Sequence, residues 1–326
     1  MKSNGTARPR LVVLDGFTAN PGDLSWAEFE AMAECRVYER TPAGEVAGRI
    51  AEADAVLLNK AVLGAEAIAA APKLRYVGIL ATGCNTIDLP ALRARGVTVR
   101  NVPGYSTASV AQSAIGFLLE LANRTALHAE DVRAGGWSRC PDYAYTLVPP
   151  RELAGKTLGV VGFGAIGRKV AEIARALGME ILVNRRNRNE ALPEGMRHAE
   201  LDELFAASDA VSLHCPLTEE TRGLASAARI ASMKRGAWLV NTARGPLVDE
   251  AALAAALREG RLAGAGLDVL SIEPPPADNP LLGAPNTYIT PHIAWATPEA
   301  RRRLLDIAAR NFRDFLEGKP NPNGVG

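Results

Sequence analysis

Thr157-Leu158-Gly159-Val160-Val161-Gly162-Phe163-Gly164-Ala165-Ile166-Gly167 is the stretch whose reading decides the fold. It runs from an apolar segment into closely spaced glycines. Arg168 to Gly178 follows with Val170, Ile173, Ala174 and Leu177 on one helical stripe, and Met179-Glu180-Ile181-Leu182-Val183 forms a second apolar run. Strand, glycine turn, helix and strand together make one βαβ unit. In that setting Gly162 permits the tight turn, Gly164 lets the backbone at Ala165 and Ile166 approach a pyrophosphate, and Gly167 lets helix and strand pack closely. Phosphates would lie at the helix N-terminus, where unpaired N–H groups and the helix dipole favour negative charge. A bare G-x-G-x-x-G also occurs as a purely structural turn. The complete strand–turn–helix–strand context favours a dinucleotide site.

The end of the second strand carries the next decision. A carboxylate there would hold the ribose 2′-OH of NAD, whereas arginine accommodates the 2′-phosphate of NADP. The chain has Asn184-Arg185-Arg186-Asn187-Arg188 and no acid before Glu190. Guanidinium groups beside a phosphate form bidentate, charge-assisted hydrogen bonds. A solvated basic loop is the plainer alternative, but the position favours NADP(H), with NAD(H) as the second option.

With 326 residues the chain is long enough for two domains. Its 48% hydrophobic and 22% charged content is that of a soluble globular protein. A net charge of +1 gives no reason to expect nucleic acid or an anionic membrane as partner. Cys35, Cys84, Cys140 and Cys215 lie far apart without C-x-x-C spacing, so neither a zinc site nor a disulfide framework is expected. No metal-ligand cluster is visible. Met1 to Arg10 lacks the apolar core of a signal peptide, and no apolar run reaches membrane-span length. A cytoplasmic location is the expectation.

Outward from the central unit, Arg10 to Asp15, Ala53 to Asn59, Leu74 to Leu80 and Val97 to Val99 read as strands, with alanine-rich amphipathic stretches such as Leu63 to Ala71 between them. That alternation predicts parallel α/β architecture. Thr107 to Leu121 reads as a long apolar helix, and residues 133–153 show neither period. Further strands are expected at Ala210 to Pro216, Ala237 to Asn241, Gly264 to Leu270 and Thr287 to Thr290. The last helix, Pro298 to Leu316, is amphipathic and returns to cover the first domain; its basic start, Arg301 to Arg303, reads as a solvated face.

Ligands of open parallel sheets bind outside the carboxyl ends of the strands. That rule makes His214, Cys215, Asn241 to Arg244, Asp268 and Glu273 site candidates. Hydride transfer to a carbonyl acid needs a cation for the carboxylate and an acid for the carbonyl oxygen. It also needs a group that keeps that acid charged. Histidine titrates near neutrality, and a neighbouring carboxylate orients it and favours its protonated form. His128 falls on a helix that reads as exposed and His198 in a polar connection, while His214 and His292 both follow strands. Any one of them has a structural alternative. Arg244 sits in a strand-end loop suited to gripping a carboxylate, or to an ordinary salt bridge. Glu273 lies in a proline-stiffened loop, where a solvated acid is the alternative.

Val161 to Arg168, Ser212-Leu213-His214-Cys215-Pro216-Leu217-Thr218, Leu239 to Gly245, Gly266-Leu267-Asp268-Val269, Glu273-Pro274 and Thr290 to Ala294 come in an order that resembles the D-isomer-specific 2-hydroxyacid dehydrogenases. The resemblance covers nearly the whole chain. In the first half, Leu58-Asn59-Lys60, Ala81 to Asn85, Asn101 to Tyr105, Ser109 to Gln112 and Trp137 to Asp142 look closest to the glycerate dehydrogenases, also called hydroxypyruvate reductases. The resemblance implies two Rossmann-like or flavodoxin-like parallel-sheet domains. A nucleotide-binding domain, residues 104–292, is inserted into a discontinuous substrate domain formed by 1–103 and 293–326. It implies a triad in which Arg244 binds the substrate carboxylate, His292 exchanges the proton at the C2 oxygen and Glu273 pairs with His292. Asp268 would hold the nicotinamide carboxamide, and Cys215-Pro216 and Thr242-Ala243 would line the cofactor cleft. Asn59, Lys60, Thr82, Gly83 and Trp295 would belong to the substrate pocket. The implied partners are a small 2-ketoacid or 2-hydroxyacid and a second copy of the chain, with the irregular 125–150 segment as an arm. The family's usual ribose-binding Asp is replaced by Arg185, and Tyr143 to Thr146 stands where glycerate dehydrogenases carry different aromatics. Alternatives within the family act on longer 2-ketoacids, phosphoglycerate, formate or phosphite; a nucleotide-sensing co-repressor is the alternative outside it.

Overall fold

The computed structural model describes residues 8–187 and 190–325. Their chain forms two compact units, one from Met1–Ser106 with Ala296–Gly326 and one from Thr107–Trp295.

In the first unit β1 (Arg10–Val13), β2 (Glu34–Val37), β3 (Ala55–Leu58), β4 (Tyr76–Ile79) and β5 (Thr98–Arg100) form a parallel sheet in the order β2-β1-β3-β4-β5. Side chains alternate between faces along each strand. Val12, Leu14, Val56, Leu58, Val77 and Ile79 pack into one buried cluster with Val46, Ile50, Ile68 and Leu92 from short helices. Against Tyr76, Phe312 and Phe315 of the helix Pro298–Leu316 pack with tilted rings at centroid distances of 5.3 and 4.8 Å. The last helix therefore does return to the first sheet. Beyond it Val325 N–H donates to Val99 C=O at 3.0 Å, so the tail occupies the otherwise open edge of β5. The basic start of this helix is not a uniform solvated face. Arg301 is 6% exposed and grips both carboxylate oxygens of Asp23 at 2.6 Å, because it shares the stripe of buried Ala300, Leu304 and Leu305. Arg302 and Arg303 are exposed.

The second unit contains β6 (Thr157–Val161), β7 (Glu180–Asn184), β8 (Met196–His198), β9 (Ala210–Leu213), β10 (Trp238–Asn241), β11 (Gly264–Leu267) and β12 (Thr287–Ile289), all parallel, in the order β12-β11-β10-β9-β6-β7-β8. The runs are almost continuously apolar because both faces are covered. Val160, Ile181, Val183, Trp238 and Val240 join a cluster with Val170, Ala174, Phe117 and Leu121 from the helices Ala165–Ala176 and Thr107–Asn123. Val161, Leu182, Leu213, Leu239 and Leu267 join the cluster on the opposite face. The strand order reverses between β6 and β9, and that reversal opens a crevice at their carboxyl ends.

Two strands were not expected. β2 and β8 are edge strands whose residues are exposed or only partly buried, so they lack the apolar run that marks a central strand. His198 ends β8 rather than lying in a connection. The segment read as irregular holds a short helix, Gly136–Arg139, and then no regular element through residue 153.

Candidate active site

The crevice is built first by the turn after β6. Gly162 has φ +91°, and a Cβ on it would lie 2.5 Å from Cys215 N, so only glycine brings the ends of β6 and β9 this close. A Cβ on Gly167 would lie 2.0 Å from Gly162 O, which seats the helix Ala165–Ala176 directly on the turn. Gly164, the helix N-cap, has nothing within 4 Å of its Cβ position and makes no side-chain cap. Ala165, which opens that helix, is exposed, and the first N–H groups of an α-helix have no partner within it. Thr242 Oγ1, after β10, is buried and has no partner among the described residues. An open glycine turn at the switch point and an orphaned hydroxyl at the carboxyl end of another strand of the same sheet fit a dinucleotide.

At the end of β7 Asn184 is committed to the fold, its Nδ2 donating to Ala199 C=O at 2.9 Å. The Arg185 side chain is only 8% exposed, and its Nε has no partner among the described residues. Arg186 is exposed, and Arg188 lies outside the described residues.

The candidate proton-transfer pair is held by the loops after β11 and β12. His292 Nδ1 lies 2.6 Å from Glu273 Oε2. The other Glu273 oxygen accepts from Leu270 N–H at 3.1 Å, which fixes the carboxylate in its own loop. The peptide bond Glu273–Pro274 is cis. His292 has φ +55°, an uncommon backbone for a residue with a Cβ. Its N–H donates to Asp268 C=O at 2.8 Å, and its C=O accepts from Trp295 Nε1 at 2.9 Å. The Asp268 carboxylate, 2% exposed, accepts from Thr290 Oγ1 at 2.6 Å, Ile293 N–H at 2.8 Å and Ala294 N–H at 2.9 Å. Burial pushes the Asp268 carboxyl above its ordinary range, against the pull of these three donors. Asp268 thus clamps the turn that presents His292, a task its sequence position did not reveal.

Arg244 follows β10. Asn241 braces its loop, Nδ2 donating to Arg244 C=O at 2.8 Å and Oδ1 accepting from Ala243 N–H at 3.0 Å. A Cβ on Gly245 would lie 1.9 Å from Leu270 C, so this loop packs backbone to backbone against the loop that carries Glu273. The Arg244 guanidinium donates from Nη1 to Ala243 C=O at 2.7 Å.

The two histidines that strand position alone left equivalent now separate. His214 Nε2 pairs with Ser212 Oγ at 2.8 Å, and burial pulls its pKa down to about 4, so the ring is neutral. It has no carboxylate partner of the kind His292 has. Next to it the Cys215 thiol is pushed up to about 11 by burial, and Pro216 C=O accepts from Thr221 Oγ1 at 2.7 Å. His128 bonds its own helix, Nδ1 to Arg124 C=O at 2.9 Å.

The other four candidates lie in the first unit, at the carboxyl ends of β3 and β4. The Asp15 carboxylate accepts from Asn59 N–H at 2.8 Å, from Ala61 N–H at 2.8 Å and from Lys60 N–H, fixing that loop. Thr82, beside Gly83, donates from Oγ1 to Val102 C=O at 3.0 Å. Among the described residues no His, Cys, Asp and Glu cluster could hold a metal, and no helix is long and apolar enough to cross a membrane.

A family model described as the NAD binding domain of D-isomer specific 2-hydroxyacid dehydrogenases matches residues 115–294. The chain belongs to the D-isomer-specific 2-hydroxyacid dehydrogenase family. This dehydrogenase is 47% identical over 315 residues to a hydroxypyruvate reductase of Blautia hydrogenotrophica, covering 95% of this chain and 98% of that protein. It is 37% identical over 302 residues to a glycerate dehydrogenase of Methylorubrum extorquens, covering 91% of this chain and 94% of that one. The solved structure of the TT0316 protein from Thermus thermophilus superposes with a TM-score of 0.87 at 36% identity, over 97% of this chain and 100% of that chain. Membership makes the chain an oxidoreductase with a nicotinamide cofactor.

Proposed function

We propose that this dehydrogenase reduces hydroxypyruvate and glyoxylate to the corresponding 2-hydroxyacids, reversibly, with NADP(H) preferred. The observation that carries the reading is the Glu273–His292 pair at 2.6 Å, with the Arg244 loop packed against the loop that holds Glu273. Arg244 binds the substrate carboxylate through its planar fork. Glu273 holds Nδ1 of His292, which leaves Nε2 to give a proton to the C2 oxygen during reduction and take it back during oxidation. When bound, the nicotinamide would supply the chemistry of hydride transfer to and from C2. Residues 104–292 form the cofactor domain in this reading, and Trp295, which bonds His292 C=O, contributes to the substrate pocket. Gly162, Gly164, Ala165, Ile166 and Gly167 cradle the pyrophosphate, with Cys215, Pro216, Thr242 and Ala243 along the cleft and Asp268 near the carboxamide. The Arg185 Nε, unpartnered among the described residues, and the exposed Arg186 at the end of β7 support the preference for a 2′-phosphate.

The functional unit in this reading is a homodimer. Leu127, Val132, Trp137, Tyr143, Leu147 and Val148 all lie exposed within the 125–150 segment, an apolar concentration that fits a surface covered by a second copy. Four free thiols support a reducing, cytoplasmic compartment. The test is initial-rate reduction of hydroxypyruvate and glyoxylate, each with NADPH and NADH, alongside Arg244→Ala and His292→Ala. Turnover that is faster with NADPH and lost in both variants is the expected result. Faster turnover with NADH overturns the cofactor preference, wild-type turnover in either variant overturns the triad, and inactivity on both acids overturns the substrate.

A further inference from the structure

Glu190 is an acid just beyond the end of β7, where the ribose end of a dinucleotide is selected. Its Oε2 lies 2.6 Å from Nη2 of Arg168 and 3.5 Å from Nη1 of Arg185. Arg168 stands in the first turn of the helix Ala165–Ala176, immediately after the glycine fingerprint, and Arg185 follows β7. Both guanidinium groups lie over the ring of Phe163, at 4.8 and 5.9 Å from its centroid. Phe163, between Gly162 and Gly164, is only 6% exposed. One carboxylate oxygen therefore ties together two arginines that are stacked on the phosphate turn. Of the two, Arg185 is nearly enclosed, with 8% of its side chain exposed, and its Nε has no partner among the described residues.

We infer that Glu190 is a specificity-determining residue, an internal counter-ion that competes with the 2′-phosphate of NADPH for Arg168 and Arg185. The inference rests on the NADP(H) reading above. A 2′-phosphate approaching Arg185 meets guanidinium donors already turned toward a carboxylate, and meets that carboxylate as a like charge. NADH presents a neutral 2′-hydroxyl and meets no such repulsion. The competition is winnable because Glu190 is 63% exposed: an ion pair so open to water is weak and screened by salt. Glu190 thus narrows the preference for NADPH without abolishing it, and places Arg168 in dinucleotide selection beside Arg185.

The test is direct titration of the cofactor-free protein with NADPH and NADH, followed by nicotinamide fluorescence, with no substrate present. Glu190→Gln keeps the shape and removes the charge. It is expected to tighten NADPH about twofold to fivefold, the worth of one exposed charge pair, with NADH unchanged and the gain shrinking at high salt. Glu190→Asp retains the charge and is expected to keep the wild-type ratio of the two affinities. An unchanged or weakened NADPH affinity in Glu190→Gln overturns the inference. Arg185→Ala, titrated in parallel, separates this from the cofactor reading. If NADPH weakens in Arg185→Ala while Glu190→Gln changes nothing, Glu190 has no such role and the arginine reading stands. If Arg185→Ala leaves NADPH untouched while Glu190→Gln tightens it, the arginine reading falls and the charge effect of Glu190 remains.

Discussion

Asp268→Asn isolates the clamp beneath His292. The carboxylate is 2% exposed, and its oxygens accept from Thr290 Oγ1, Ile293 N–H and Ala294 N–H. An amide keeps the shape but replaces one acceptor oxygen with an NH2 group. If the remaining oxygen serves Thr290 and Ile293, the NH2 faces the buried Ala294 N–H, donor against donor. A stranded buried N–H costs about 1–3 kcal/mol, so the variant should lose about 2 kcal/mol. In a unit of this size that lowers the melting midpoint by about 4–8 °C. The melt is run on cofactor-free protein, so any loss of a bond to the nicotinamide carboxamide cannot contribute. Turnover should fall roughly a hundredfold, as expected when a catalytic group shifts by about an ångström. A variant that melts within about 1 °C of the parent, against the cost expected of a stranded donor, and turns over normally would refute the clamp.

Gly245→Ala forces a Cβ to 1.9 Å from Leu270 C, so the loops carrying Arg244 and Glu273 must part; turnover should drop while far-UV circular dichroism stays native, and undiminished activity would contradict the backbone packing. Acid stability reports on His214, whose pKa is about 4 in the fold against an ordinary 6.5. Below pH 6.5 the unfolded chain takes up a proton that the folded ring refuses, so stability is complete at neutral pH and falls as pH drops toward about 4. The loss is about 3 kcal/mol at most, since the residue keeps part of its surface accessible. His214→Asn should remove that share of the slope in urea melts between those pH values, and an unchanged slope would show that the ring is not buried neutral. Arg301→Ala should lower the melting midpoint of the first unit and Arg301→Lys should restore little of it, because an ammonium cannot bridge both Asp23 oxygens; full recovery with lysine would deny the bidentate pair its role.

Much of this was legible in sequence because it is local. The turn of Gly162, Gly164 and Gly167 is defined by neighbours within a few residues, and the central strands announce themselves as apolar runs because both sheet faces are covered. The edge strands β2 and β8 were not legible, since an edge is half in water and carries no such run. Strand position left His214 and His292 equivalent, and only the family resemblance favoured His292; the tertiary structure supplies the physical difference between them. Both follow strands, but desolvation leaves one neutral beside Ser212, while the fold carries Glu273 across nineteen positions of chain to within 2.6 Å of the other. The same holds for Arg301, Asp268 and Glu190, whose side chains look like ordinary surface or site charges in one dimension. What each of them does depends on which donors and acceptors packing brings within hydrogen-bonding reach, and sequence spacing does not encode that.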